Sequence, residues 1–288
     1  MKAIFKRELQ SYFTSMIGCV FIAVITAFTG IYFLAYNLNG GYPYFAYALG
    51  GALIVFLVAI PILTMRSFSE DRKNKTDQLL LTAPVSVTKV VLGKFFAMAV
   101  MFLIPNIIFL FFPWIIKMQG TAYIGVDYLS ILVFFLLGCV YISIGMFISA
   151  LTESQIIACI STFGVLLILY LWEGIISFLP SNALGNAVGL IFILTGIVVF
   201  IFHMTGNIFI SGVVEAIGVI ATFVVYFVKS SLLEDLLSTW LGKLALTGIF
   251  TGVADNSILD ISGIVLYLSL IALFVFLTIQ AIQKRRWS

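Results

Sequence analysis

Three ionisable residues are the candidates for groups held within the bilayer, and they are the places where an almost wholly apolar chain could do chemistry: Glu215, His203 and Glu173. A charge in hydrocarbon is costly, so such groups mark ion, proton or substrate pathways unless they are neutral or hydrogen-bonded at a helix contact. Only Glu215 reads as deep within its run, and both readings stay open for it. His203 has no metal partner near it in sequence and suits a hinge or an interface. Cys19, Cys139 and Cys159 lie inside apolar runs without CxxC spacing and read as small core residues. There is no nucleophile elbow, no pair of catalytic carboxylates, no metal-ligand cluster and no GxxxxGK[ST] phosphate loop. The chain therefore reads as a non-enzyme that binds no cofactor itself, and any ATP it depends on is hydrolysed on another chain.

The second concentration of functional groups is a polar interruption. Arg66 to Lys94, RSFSEDRKNKTDQLLLTAPVSVTKVVLGK, holds Arg66, Arg72, Lys73, Lys75, Lys89 and Lys94, six of the fifteen Lys and Arg residues. Ser67 and Glu70 have the spacing of a capping box, in which hydroxyl and carboxylate each satisfy a free N–H at a helix start, so a short helix is predicted from Glu70. Glu70 and Asp71 suit its positive end, and Ala83-Pro84 closes the segment because a residue before proline avoids the helical region. Leu79, Leu80 and Leu81 form an apolar knuckle on a charged body. Two readings are open here, a docking helix or a solvated loop whose leucines lie on lipid headgroups.

The elements that must position these groups are membrane helices. Over 288 residues the hydrophobic content is 62% and the charged content 9%, far outside the range of soluble domains. Spanning a hydrocarbon core of about 30 Å takes about 20 apolar residues as a helix, because lipid cannot satisfy exposed backbone groups. Continuous apolar runs argue against a barrel. The fold class is thus an all-α polytopic membrane protein, one domain over 1–288, with six to eight spans and eight preferred. Residues 1–14 read as an N-terminal interfacial elbow helix, with Ile4, Phe5, Leu9 and Tyr12 set against Lys2, Lys6, Arg7 and Gln10. The first apolar run is long enough to span and lacks a small-residue cleavage site, so no cleaved signal peptide is expected.

Spans are predicted at about 16–36, 45–65, 90–116, 128–151, 155–172, 186–202, 208–228 and 261–279, with kinks at Pro61, Pro105 and Pro113. Gly145 and Ser149 have the small-xxx-small spacing that lets helices approach closely in lipid. Residues 186–228 form an extra apolar pair hinged at His203 to Asn207, either a complete hairpin or a re-entrant one. Residues 230–250 read as an amphipathic extracytoplasmic helix, with Ser231 and Glu234 as a second capping box. With both termini cytoplasmic, Lys2, Lys6, Arg7, the six central cations and Lys284, Arg285 and Arg286 fall inside, and only Lys117, Lys229 and Lys243 fall outside. The modest net charge of +3 reports this orientation rather than nucleic-acid binding.

Residues 68–95, FSEDRKNKTDQLLLTAPVSVTKVVLGKF, resemble the loop after the second span in permeases of the type-2 ABC exporter family. In that family a polar E-x-R-x-x-x-T-x-x-L-L pattern precedes a proline and then a G-K at the next span. The closing segment YLSLIALFVFLTIQAIQKRRW is similar to the end of the gliding-motility GldF branch. The resemblance implies a multi-pass permease of a bacterial cell membrane that pairs with a second permease subunit, identical or related. It also implies a cytoplasmic ATPase partner carrying ATP and Mg, contact with membrane lipids, and room for an accessory extracytoplasmic protein. The coupling loop would be 66–89, with Glu70, Asp71, Arg72, Lys75, Thr76, Leu79 and Leu80 facing the ATPase. A scaffold or sensor subunit that uses an ATPase to regulate another protein, without moving a solute, is the alternative.

Orientation is testable by labelling. Single cysteines at Asn74 and Ser288, in a background lacking the native cysteines, are expected to be shielded from an impermeant thiol reagent in intact cells, and one at Asn39 to react. Labelling of Asn74 from outside would refute this topology.

Overall fold

The computed structural model describes residues 1–76, 86–206, 208–228, 230, 233–256 and 261–287, which form helices joined by turns, with no strand among them. Helices are the natural outcome of long apolar runs, since each segment then satisfies its own backbone N–H and C=O groups. Five helices are long and apolar enough to cross a membrane among the described residues, or up to six if the short helices Leu236–Gly242 and Leu246–Ala254 count as one span. The residues form two compact units, Met1–Tyr170 with Leu246–Ser288, and Leu171–Ala245.

In the first unit the helices are α1 (Lys2–Thr14), α2 (Ile17–Phe33), α3 (Ala46–Thr64), α4 (Ser69–Lys73), α5 (Val87–Phe109), α6 (Phe112–Gln119), α7 (Ile124–Leu151) and α8 (Gln155–Tyr170). At 28 residues, α7 is about 42 Å long. It is the central element, packing against α3, α5, α8 and two helices from near the end of the chain. Its partners are held by rings: Phe134 of α7 lies 4.6 Å from Phe56 of α3 and 5.9 Å from Phe102 of α5. Gly138 faces the Phe102 ring so closely that a Cβ there would overlap it. In lipid, where apolar side chains gain nothing by leaving solvent, such van der Waals fit is what brings helices together.

The predicted small-xxx-small pair is used at one such contact. A Cβ on Gly145 would lie 2.3 Å from Thr64 Oγ1, so the missing side chain is what admits the end of α3 to α7. Ser149, one turn on, takes part in hydrogen bonds described below. At the opposite end of α3, Asp127 in the first turn of α7 is fully buried and accepts the Phe45 N–H at 2.7 Å, capping α3 from a different helix.

Two predicted elements are shaped differently. The third span divides into α5 and α6 at Leu110 and Phe111, with Pro113 in the first turn of α6, where its missing N–H costs nothing. The helix expected over 230–250 instead stops at Gly242, and a new one begins at Leu246. The Leu241 carbonyl accepts the Trp172 indole N–H at 2.9 Å and the Leu244 N–H at 3.0 Å, which tightens the turn at a glycine. Ser231 lies outside the described residues, and so does the capping box proposed for it.

The second unit holds α9 (Trp172–Ser177), α10 (Ala183–Thr205), α11 (Ile208–Val228) and α12 (Leu236–Gly242). Asn182 caps α10 by accepting the Gly185 N–H at 3.2 Å. Gly206, at φ +64, ends α10 in the left-handed conformation that glycine adopts without strain. Leu194 meets Gly218, and Thr195 meets Glu215, so α10 and α11 run antiparallel. The first unit is completed by α13 (Leu246–Asn256) and α14 (Ile261–Trp287), and the Tyr267 hydroxyl of α14 donates to the Leu246 carbonyl of α13.

Gly145→Val is expected to overpack the contact between α3 and α7 and to cost about 1–3 kcal/mol. Gly164→Ala, whose Cβ would meet nothing within 4 Å, is expected to stabilise by about 0.5–1 kcal/mol as an ordinary helix-interior replacement. Thermal unfolding of the two variants in detergent checks this, and equal transition temperatures would show that the Gly145 contact is absent.

Candidate functional site

The polar stretch of the first unit begins where α3 runs out of apolar residues. Past Thr64 the backbone turns through Met65 to Phe68 before α4, which leaves polar groups needing partners among buried side chains. One hydroxyl supplies three of them: Ser149 Oγ accepts the N–H of Phe68 and of Ser69, each at 3.2 Å, and donates to the Met65 carbonyl at 3.1 Å. The Ser69 hydroxyl also donates to the Met65 carbonyl. From α1, the Tyr12 hydroxyl donates to the Leu63 carbonyl at 3.2 Å. Burial pushes the Tyr12 phenol well above its ordinary pKa, so it remains a donor.

The capping box predicted from Ser67 and Glu70 does not form. The cause is a stronger partner one residue upstream: Arg66 takes the Glu70 carboxylate in a fork, Nε to Oε2 and Nη2 to Oε1, both at 2.6 Å. A bidentate guanidinium contact outweighs a single neutral N–H bond. The helix at the start of this stretch is α4, Ser69–Lys73. It ends at Lys73, and Lys75 turns into the left-handed region at φ +57. Thr76 closes that turn, its Oγ1 donating to Asp71 Oδ1 at 3.1 Å and its N–H to the Asp71 carbonyl at 2.9 Å. Residues 77–85 lie outside the described residues, and Leu79 and Leu80 with them. Of the other residues singled out in this stretch, Arg72 is half-buried and Lys75 exposed.

The centre of the site is a residue that sequence reasoning counted as a cytoplasmic cation and as the Lys of the G-K at the next span, without assigning it a partner. Lys94, in the third turn of α5, is 3% exposed. Its ammonium donates to the Ser67 carbonyl at 2.6 Å and lies 2.8 Å from Asp71 Oδ2 and 3.1 Å from Glu8 Oε1 as ion pairs. The Phe68 ring lies 5.1 Å away, offering its negative face. Glu8 also accepts from Arg7 at 2.6 Å. Next to Lys94, Gly93 lets Ile4 of α1 approach, 3.1 Å from where a Cβ would sit. The signal that could have found this site was present: Lys94 follows Val90, Val91 and Leu92 and precedes Phe95 and Phe96, so its helical neighbours are apolar on every side. Glu8 was equally legible as the lone acid of a basic helix.

The residues singled out within apolar runs lie apart from this cluster. Glu215 of α11 is half-buried and accepts the Thr195 hydroxyl of α10 at 3.2 Å, a contact between two helices of the second unit. Glu173 is exposed in the first turn of α9, the helix end that suits a carboxylate, and His203 is exposed in the last turn of α10. No group of three or more His, Cys, Asp or Glu among the described residues could hold a metal ion. The arrangement around Lys94 contains ion pairs and caps and no nucleophile beside a base. It forms a joint that ties together α1, the segment after α3, α5 and α7.

No curated protein and no solved structure matches the chain. A family model described as ABC-2 family transporter protein matches residues 3–279, nearly the whole sequence. Taken with its apolar helices, this match means that the chain belongs to the ABC-2 transporter family and is a multi-pass permease component of an ABC transporter in a cell membrane.

Proposed function

We propose that this permease works as an exporter, in a pair with a second copy or a close relative, driven by a separate cytoplasmic ATPase that binds ATP and Mg and docks on 66–89. Within the family we read it as GldF-like, because its closing segment resembles that branch. The observation that carries the proposal is the joint itself. The segment that leads into the docking loop is pinned by Ser149 to α7 and by Lys94 to α1 and α5. ATP binding can do work on a membrane path only through an element that touches both the ATPase and the spans and that has two positions. A segment held at its base to three long elements meets the structural part of that need.

Orientation follows the cation distribution, with both termini and 66–89 in the cytoplasm. Residues 186–228 form a complete hairpin in this reading. Its helices have 23 and 21 residues, about 34 and 32 Å long, which matches a hydrocarbon core of about 30 Å. With them the span count reaches eight. Glu215 is a structural group here, its carboxylate satisfied by Thr195 where the two helices meet.

Docking is tested at the leucine knuckle. If Leu79 and Leu80 fill a groove on the ATPase, truncating one to alanine removes up to ~1.5–3 kcal/mol of apolar burial, which at ~1.4 kcal/mol per tenfold weakens docking by about one to two orders of magnitude. Leu79→Ala with Leu80→Ala is expected to leave the permease membrane-inserted while the ATPase is lost on co-purification. Unchanged ATPase recovery and unchanged hydrolysis in the double variant would make the loop plain solvated surface.

A further inference from the structure

The family assignment and the docking loop leave one feature without a role, the burial of Lys94 between two carboxylates from distant parts of the chain. A lysine ammonium is strongly hydrated, and one that is 3% exposed needs full compensation. It has it from three elements at once: Glu8 of α1 at 3.1 Å, Asp71 of α4 at 2.8 Å and the Ser67 carbonyl of the turn before α4 at 2.6 Å. The network continues on both sides. Glu8 is shared with Arg7, which is 54% exposed, and the second oxygen of Asp71 holds Thr76, the last described residue before the leucine knuckle. An unbroken polar chain thus runs from Arg7 through Glu8, Lys94 and Asp71 to Thr76.

Signs decide how this chain behaves. Without Lys94, Glu8 and Asp71 would face one another across the space it occupied, two carboxylates in a poorly hydrated place, and α1 would be pushed from the segment that follows α3. Without Asp71 alone, Lys94 and Glu8 would still form a neutral pair, so α1 would stay on α5 while residues 69–76 came loose. Gly93 favours the same division, because it lets Ile4 and the Phe5 backbone lie against α5 independently of the ion pairs.

We propose that Lys94 is a positioning residue that joins the N-terminal helix to the base of the docking loop, so that displacement of the loop by the ATPase carries α1 with it instead of moving the loop alone. The proposal rests on the docking reading above. It assigns α1 a part in the stroke and locates that part at a single cation.

The test uses the full permease with its ATPase in lipid nanodiscs. Spin labels at exposed Lys6 and Asn74 report the separation of α1 from the loop base, and labels at Lys6 and Lys89 report α1 against α5. In the otherwise unchanged chain the Lys6 to Asn74 distance is expected to be narrow and to stay the same with and without trapped ATP. Asp71→Asn is expected to broaden that distance and leave Lys6 to Lys89 unchanged. It is expected to lower hydrolysis per co-purified ATPase by ~5-fold or more, the scale of a coupling free energy. Lys94→Met is expected to broaden both distances, and adding Glu8→Gln and Asp71→Asn to it to narrow the Lys6 to Lys89 distance again, since the repulsion is gone. A merely structural lysine would lower expression without that rescue. If Asp71→Asn and Lys94→Met both leave the Lys6 to Asn74 distance and coupled hydrolysis unchanged, the proposal is overturned. If no ATPase binds the unmodified permease, the docking reading fails, and the label distances still decide whether Lys94 joins α1 to the loop base.

Discussion

The structure depends on how the backbone is satisfied where α3 ends. A helix that stops in an apolar surrounding leaves carbonyl and N–H groups that water does not reach, and each orphan costs about as much as a lost hydrogen bond. Ser149 answers for the Met65 carbonyl and for the N–H groups of Phe68 and Ser69 together. It can do so only because α7 lies close, and α7 lies close because Gly145, a turn earlier, has no side chain to collide with Thr64. The position of α4 then follows, with Asp71 on the side that faces Lys94. A glycine within a span thereby fixes where a charged loop begins.

That dependence explains what was legible in the sequence. Apolar runs bounded by polar residues located nearly every long helix to within a few residues, because a run of that length without water has little choice but to be helical. The predicted start at Gln155 and the predicted limits of 208–228 coincide with α8 and α11. Local polar motifs were less informative. Ser67 and Glu70 satisfy the spacing of a capping box, yet Arg66 offers Glu70 two charged bonds in place of one neutral bond. The motif describes a helix in isolation, and a neighbouring guanidinium changes the competition. In the same way, the amphipathic pattern over 230–250 reads as one helix, but Trp172, some seventy positions earlier, takes the Leu241 carbonyl at 2.9 Å where the pattern would run on.

The site residues divide on similar lines. Charge counting treats every lysine as solvated, and so it hides Lys94, whose partners Glu8 and Asp71 lie far from it in sequence. Asp127 was hidden for another reason. An acid in the first turn of a helix reads as a favourable match to that helix's own dipole, whereas this one is directed at the start of α3 and accepts the Phe45 N–H. Glu215 was conspicuous because it interrupts an apolar run, and its environment is the modest one of a hydroxyl on the neighbouring helix. Conspicuousness in a sequence measures contrast with adjacent residues, and function in the fold depends on what distant residues bring.

The choice of ions at the Lys94 joint, where hydrophobic side chains would pack as well, has a physical consequence. A buried ion pair contributes little net stability, since desolvation offsets most of the attraction, and well-packed apolar groups often do as well or better. What charges add is direction. An apolar contact between α1 and the loop base could slide by a fraction of a turn at small cost, because methylene surfaces are interchangeable. An ammonium held by two carboxylates and a carbonyl has one arrangement that satisfies all of its partners, and every displacement exposes a charge to a poorly hydrated place. For a segment expected to transmit force, a contact that resists sliding is worth more than one that merely stabilises. The fork between Arg66 and Glu70 stiffens the same turn from its outer side, so the backbone between Met65 and Lys73 is braced by Ser149 within, by Lys94 from α5 and by its own ion pair.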